Sequence, residues 1–420
     1  MAFICFAGTY KPIICGIADY TGFITRASPA GKWSVLSFDL EKYGASLSTA
    51  RERTDQVWYG IPGRHDFSAA VILQGLKELG LKDEDTVLWF QHDDLIWADS
   101  QKFVTMLMDL DLPKVVTFHT LHFQSSETPT GLRKYQYNLL QSLLPHVQAI
   151  TVFSHGVYDA VTSAFPEHSE KVYVVKHGIH SYPAVSKLSR KEAKERLNDF
   201  LLSEAGLDQA TRDALRKQRT FLDPDTFVIG QTGFLCPLKH SESLYLLRDK
   251  LQQITPHKRI AAVRIGMTRE ESHKIYAGKL RREQNGRDSF LLETWLPQDT
   301  LALAQRAFDV NFYWPTECTQ SGIMAHALGA GAIVAGRDLE GVGETLKEAG
   351  ELVDTDLRRL LVKIREIIIN PALRERMEGA VLKYAAEFSW KNQSRRHYEL
   401  AERILRPKRC PSGKIPNPNI

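Results

Sequence analysis

Five short clusters in this sequence place anion-binding or proton-exchanging residue types where an apolar run ends. After the first such run, GTYKPIICGIADYT holds Gly16 in a loop just ahead of a helix expected to start near Ile17 or Ala18. A glycine there lets backbone approach a phosphate or a sugar closely, although a plain turn would use it equally well. Further on come Gln91-His92-Asp93-Asp94 and His119-Thr120-Leu121-His122. A histidine in such a place commonly caps backbone or sits satisfied in a core. His119 is singled out because it directly ends VVTFH, so its imidazole is expected to point into a cleft as a hydrogen-bond donor to a ligand hydroxyl or leaving oxygen.

Two clusters in the second half read as anion sites. FVIGQT runs into GFLCPLKHSES, where Gly233 ends the run and Lys239 lies in the turn before a helix near Ser241. A lysine in that turn is a point-charge phosphate binder. In PTECTQSGIMAHALGAG, Gln320-Ser321-Gly322 opens a small-residue helix, with Ser321 as its N-cap and the helix end offering free N–H groups. The sequence has no GxxxxGK[ST], HExxH or GxSxG, and Asp93-Asp94 is adjacent rather than spaced as a DxD pair. Neither a metal nor a cofactor is therefore expected.

These clusters need strands to end on and helices to begin on. Short β-rich runs at Phe3 to Ala7, Trp33 to Phe38, Val87 to Gln91, Val115 to His119, Ala149 to Ser154 and Val172 to Lys176 alternate with segments long enough for crossovers. That pattern predicts an α/β domain with a doubly wound parallel sheet over residues 1–183. The charged stretch KLSRKEAKERLNDFLLSEAGLDQATRDALRKQR, within 184–225, is helical in period and reads as an interdomain segment. A second α/β domain over 226–388 is predicted from runs at Thr226 to Thr232, Arg259 to Gly266, Phe290 to Glu293, Val310 to Tyr313 and Ala332 to Ala335. A helix at 389–406 and a loose Pro-rich tail at 407–420 follow.

The bulk figures agree with two ordinary globular domains. The chain has 420 residues, of which 43% are hydrophobic and 25% charged, so disordered, collagen-like and disulfide-stapled classes are excluded. Lys+Arg 54 against Asp+Glu 50 gives a net charge of +4, too slight and dispersed to argue for nucleic acid. Five scattered cysteines without a CxxC imply neither a zinc site nor a disulfide framework, which fits a reducing cytoplasm. No apolar window is long enough for a membrane span, and MAFICFAGTYKP does not read as a secretory leader. Peripheral contact of the basic tail with a membrane stays open, as does oligomeric state.

Taken in order, the segments resemble the family-four type of retaining glycosyltransferases, of GT-B architecture. CGIADYT, FQHDD, VVTFHT, TVFSH and VVKHGI match the first half, and TGFLCPLKH resembles the GRLxxxKG turn. LPQDTLALAQRAFDVNFYWP, QSGIMAHALGAGAIVAG and FSWKNQSRRHYELAERIL complete the match, the last as the helix that in relatives crosses back to the first domain. The resemblance implies a nucleotide-diphospho-sugar on the second domain, its diphosphate held by Lys239 and by Ser321, Gly322 and Ile323, with Gly233 in the turn. It implies Gly16 closing over that group, His119 beside the transferred sugar, and Asp19, His92 and Asp93 on the side of a hydroxyl acceptor. Front-face attack with retention and without metal would follow.

Two departures bear on the chemistry. Phe234 stands where the turn motif has arginine, and Arg264 in AAVRIG is the expected substitute cation. The family's paired glutamates fall on Cys318 and His326, which leaves Glu317, one residue off, and Glu344 in GVGET as candidate donor contacts. The sequence thus points to a cytoplasmic hexosyltransferase of polysaccharide or glycolipid assembly. The alternatives are a disaccharide phosphorylase or synthase on the same fold, and a degenerate nucleotide-sugar binder.

Overall fold

The computed structural model describes residues 1–43, 55–81 and 85–406; the expected tail at 407–420, with Cys410, lies outside the described residues. The chain divides into two compact units, Met1–Gly178 together with the residues from Trp390 onward, and Ile179–Ser389.

The first unit runs β1 (Phe3–Ala7), α1 (Gly16–Ala27), β2 (Trp33–Phe38), β3 (Val57–Ile61), α2 (Ala69–Glu78), β4 (Thr86–His92), α3 (Ser100–Asp109), β5 (Lys114–Phe118), α4 (Lys134–Leu143), β6 (Ala149–Val152), α5 (His155–Ala164) and β7 (Val172–Val174). Its seven strands form one parallel sheet in the order β3-β2-β1-β4-β5-β6-β7. Both faces are covered, so central strands such as TVLWFQH are buried at every position. Their side chains nevertheless alternate between two cores. Ile4, Phe6, Val87, Trp89 and Val115 pack on one face, and Cys5, Ala7, Leu88, Phe90, Val116 and Phe118 on the other.

The second unit runs α6 (Pro183–Ser186), α7 (Arg190–Ser203), α8 (Gln209–Gln218), β8 (Thr226–Thr232), α9 (Glu242–Ile254), β9 (Arg259–Ile265), α10 (Lys274–Glu283), β10 (Ser289–Leu292), α11 (Gln298–Ala307), β11 (Val310–Tyr313), α12 (Gly322–Gly329), β12 (Val334–Arg337), α13 (Glu340–Ala349), β13 (Val353–Asp354), α14 (Leu357–Ile369) and α15 (Pro371–Glu387). Six parallel strands are ordered β10-β9-β8-β11-β12-β13. The last helix, α16 (Trp390–Leu405), belongs to the first unit, where Tyr398 Oη donates to Lys32 O at 2.9 Å.

The expected boundaries shift in two places. The first unit closes at Gly178, not at 183, because Ile179 N donates to Phe388 O at 2.8 Å and so joins the second unit. The stretch read as interdomain, 184–225, is built into the second unit. Its helix α7 starts on a Ser189–Glu192 capping box and buries Ala193, Leu197 and Leu201 with Val228, Phe290 and Phe308. Lys194 Nζ lies 2.6 Å from the buried Asp309 carboxylate, and Arg190 pairs with Glu378. Polar on its outer face, the stretch hides an ordinary core-facing stripe. Strands β3 and β13 were not expected; β3 is only half-buried over most of its length, and β13 has two residues.

Candidate functional site

In the first unit the alternation of β4 and β5 decides which polar groups meet. Gln91 continues the face of Val87 and Trp89, and His119, just past β5, continues the face of Val115 and Thr117. The two strands pair in register, so His119 Nε2 donates to Gln91 Oε1 at 2.7 Å. His119 is 5% exposed, with Tyr20 edge-on at 4.8 Å and Phe153 at 5.3 Å. Burial, aided by His177 and His92, holds its pKa well below the usual histidine range, so the ring is neutral. The expectation that its imidazole points into a cleft as a donor to a ligand is corrected at Nε2, whose proton the Gln91 amide takes.

His92 occupies the opposite face. Its ring packs against Phe103 at 4.8 Å and Phe118 at 4.9 Å, its Nε2 has no partner among the described residues, and burial lowers its pKa to about 3. This is a core position, which corrects its assignment to the acceptor side; a one-residue offset from Gln91 suffices to turn it inward. Asp93 accepts from Leu95 N at 2.9 Å and from Thr120 Oγ1 at 2.7 Å, so its carboxylate braces the turn after β4. Asp19 is exposed on the first turn of α1 and pairs with Lys11 at 3.8 Å. Gly16 is itself the first residue of α1 rather than part of a preceding loop, and a side chain there would meet open space.

In the second unit three expected residues converge. Gly233 follows β8 with φ +105°, and a Cβ on it would stand 2.7 Å from Lys239 Nζ and 3.2 Å from Ile323 Cγ1. The β8 turn, the lysine and the start of α12 therefore share one spot. Gln305 ties it together, donating to Thr232 Oγ1 at 3.0 Å and to Ile323 O at 3.1 Å. Ser321 Oγ accepts from Met324 N at 3.3 Å and bonds Tyr313 Oη at 2.6 Å, which leaves the N–H groups of Gly322 and Ile323 at the open helix end. Among the described residues the Lys239 ammonium has neither a carboxylate nor a hydrogen-bond partner. Burial, then the charge of Arg264, lowers its pKa to about 8.

Arg264 does not serve as the substitute cation. It is fully buried, and all five of its N–H groups are committed: Nε to Ser241 Oγ at 3.0 Å, Nη1 to Gln231 O and Ile265 O at 3.3 and 2.5 Å, Nη2 to Gly233 O and Phe234 O at 2.9 and 2.8 Å. Alternation along β9 puts it on the core face with Ile260 and Ala262. Its work is to hold the β8 turn in shape for Lys239. Glu317 is exposed in the loop before α12, and Glu344 is half-buried in the second turn of α13; the contacts joining Gly233, Lys239 and Ile323 do not include them. At the positions of the paired glutamates, Cys318 Sγ donates to Gln320 O at 3.0 Å, and His326 stacks on His180 at 3.8 Å while bonding Tyr182 Oη.

Sequence reasoning passed over an apolar platform at the ends of β8, β9 and β10. Trp295 is 59% exposed and lies 5.8 Å from the Phe234 ring, over which Arg269 sits at 5.9 Å, with Met267 exposed nearby in sequence. A tryptophan three residues past the strand SFLL was the available signal.

No protein-family model matches the chain, and no curated protein matches it in sequence. Solved structures do. A UDP-forming α,α-trehalose-phosphate synthase from Burkholderia xenovorans superposes with TM-score 0.67 at 14% identity, covering 97% of this chain and 100% of that one. Anabaena Alr3699/HepE in complex with UDP gives TM-score 0.67 at 14% identity over 96% and 100%. An Escherichia coli trehalose-6-phosphate enzyme bound with UDP-2-fluoro glucose gives 0.63 at 14% over 96% and 99%. With two units, each a parallel sheet sheathed in helices, matched along nearly its whole length to these structures, the chain has the GT-B fold.

Proposed function

We propose that the protein is a retaining glycosyltransferase that moves a hexose-type sugar from a nucleotide-diphospho-sugar to a hydroxyl acceptor in polysaccharide or glycolipid assembly. The observation that carries this reading is the Lys239 ammonium, without a partner among the described residues and packed over Gly233 at the open N-terminus of α12. An ammonium with lowered pKa, two free N–H groups and a turn glycine make a cradle for a diphosphate. Charge grows on that diphosphate as the sugar departs, so the cradle stabilises the departing group more than the bound donor. The platform of Trp295 and Phe234, beside Arg269, suits a planar base. Relatives in fold whose structures hold UDP, UDP-glucose and glucose support a donor of this kind.

His119 is assigned to the transferred sugar. Buried and neutral, it acts as a fixed hydrogen-bonding group rather than as a titrating acid or base. No carboxylate nucleophile is invoked; the acceptor hydroxyl attacks from the face that the diphosphate leaves, which preserves the anomeric configuration. The test is proton NMR of the reaction with UDP-glucose and an array of sugar acceptors, with and without chelator. Formation of an α-linked product in both conditions is the expected result. A β-linked product would contradict retention, and loss of turnover with chelator would contradict metal independence.

A further inference from the structure

We propose that the groove between α3 and α4 of the first unit binds a neutral oligosaccharide, the acceptor of the transfer; this rests on the reading above and names its acceptor class. The groove encloses about 740 Å3. In a chain with 25% charged residues, none of the twelve residues lining it is Asp, Glu, Lys or Arg. Apart from the His146 imidazole at its far end, its polar groups are amides and hydroxyls, among them Gln101, Asn138, Gln141 and Ser142. Among the described residues these four side chains make no hydrogen bond to protein.

A sugar hydroxyl both donates and accepts, and amides and hydroxyls answer both functions without a charge to desolvate. Tyr135 supplies the apolar face that a pyranose ring needs. It is 44% exposed, donates its hydroxyl to Asp94 and accepts from Gln136 Nε2 at 3.1 Å, so the ring is held in place before any ligand arrives. The groove also has a direction. α3 follows β4 and α4 follows β5, so the end marked by Ser100 and Tyr135 lies at the C-terminal ends of the strands, while Met108 and Pro145 mark the other end. A chain seated along it would present its terminus at the strand ends, where ligands of such sheets react. An anionic lipid surface would call for the Lys or Arg that the groove lacks.

The test uses the full-length protein and saturation-transfer NMR with maltohexaose, cellohexaose and laminarihexaose, each against glucose. Two variants, Tyr135→Ala and Asn138→Arg, alter exposed positions, and UDP binding is measured on every sample. At least one hexasaccharide is expected to bind where glucose does not, and about tenfold more weakly in each variant, with UDP affinity unchanged. The proposal is overturned if none of the three binds, if both variants bind as wild type does, or if sedimentation shows that Asn138→Arg splits a dimer, making the groove an interface between copies. UDP binding without hexasaccharide binding removes only this proposal, whereas hexasaccharide binding without UDP binding removes the donor reading.

Discussion

Three side chains near the strand ends carry the proposed chemistry or are excluded from it, and each supports a prediction of its own. Lys239, without a partner among the described residues and with its pKa lowered to about 8, gains a counter-charge when a diphosphate binds, which raises that pKa. Binding therefore takes up a proton above pH 8, and UDP affinity should fall by about tenfold per pH unit from there upward. Titrations at pH 7, 8 and 9 check this; a flat profile would place the anion elsewhere. Arg264→Met should leave five acceptors without their donor and cost about 3 kcal/mol or more in stability, read as a lowered denaturation midpoint. A variant as stable as wild type would return Arg264 to the role of a free cation. His92→Phe should be neutral or mildly stabilising in thermal unfolding, with activity retained, because its Nε2 is buried without a partner. Lost turnover at full stability would restore it to the acceptor side.

At the scale of elements, most strands were legible because each is a short apolar run between turn residues, and β8 and β11 fell on their expected spans. What a run buried on both faces conceals is which way each polar residue turns. His92 and His119 look alike as residues ending apolar strands, yet one is in the core with Phe103 and the other faces Gln91. Arg264 is the same case. Only the parity of its strand, fixed by Ile260 and Ala262, shows that it points under the β8 turn. The turn glycine was readable, and its conformation now gives a prediction. Gly233→Ala must adopt φ near +105° and push Lys239 Nζ aside, so UDP affinity should drop with at most about 1 to 2 kcal/mol lost in stability. Unchanged affinity on titration would mean that the turn does not shape the cradle.

At the scale of the whole molecule, the α/β class and the two-part division were readable from alternation alone, while the limits of each unit were not. A helical stretch rich in charge reads as a connector, and its membership in the second unit rests on the apolar stripe of Ala193, Leu197 and Leu201, joined by ion pairs such as Lys194 with Asp309. No helix among the described residues is long and apolar enough to cross a membrane. The residues of the proposed donor cradle all lie within the second unit, so the claim that this protein binds a nucleotide diphosphate can be tested without knowing the acceptor. The most direct measurement is calorimetric titration of UDP, with GDP and ADP alongside, into wild type and Lys239→Ala at pH 7. One nucleotide should bind wild type and lose about 1.5 to 3 kcal/mol in the variant, a factor of roughly 10 to 100. Equal affinity for both proteins, or no binding of any diphosphate to wild type, would contradict the account.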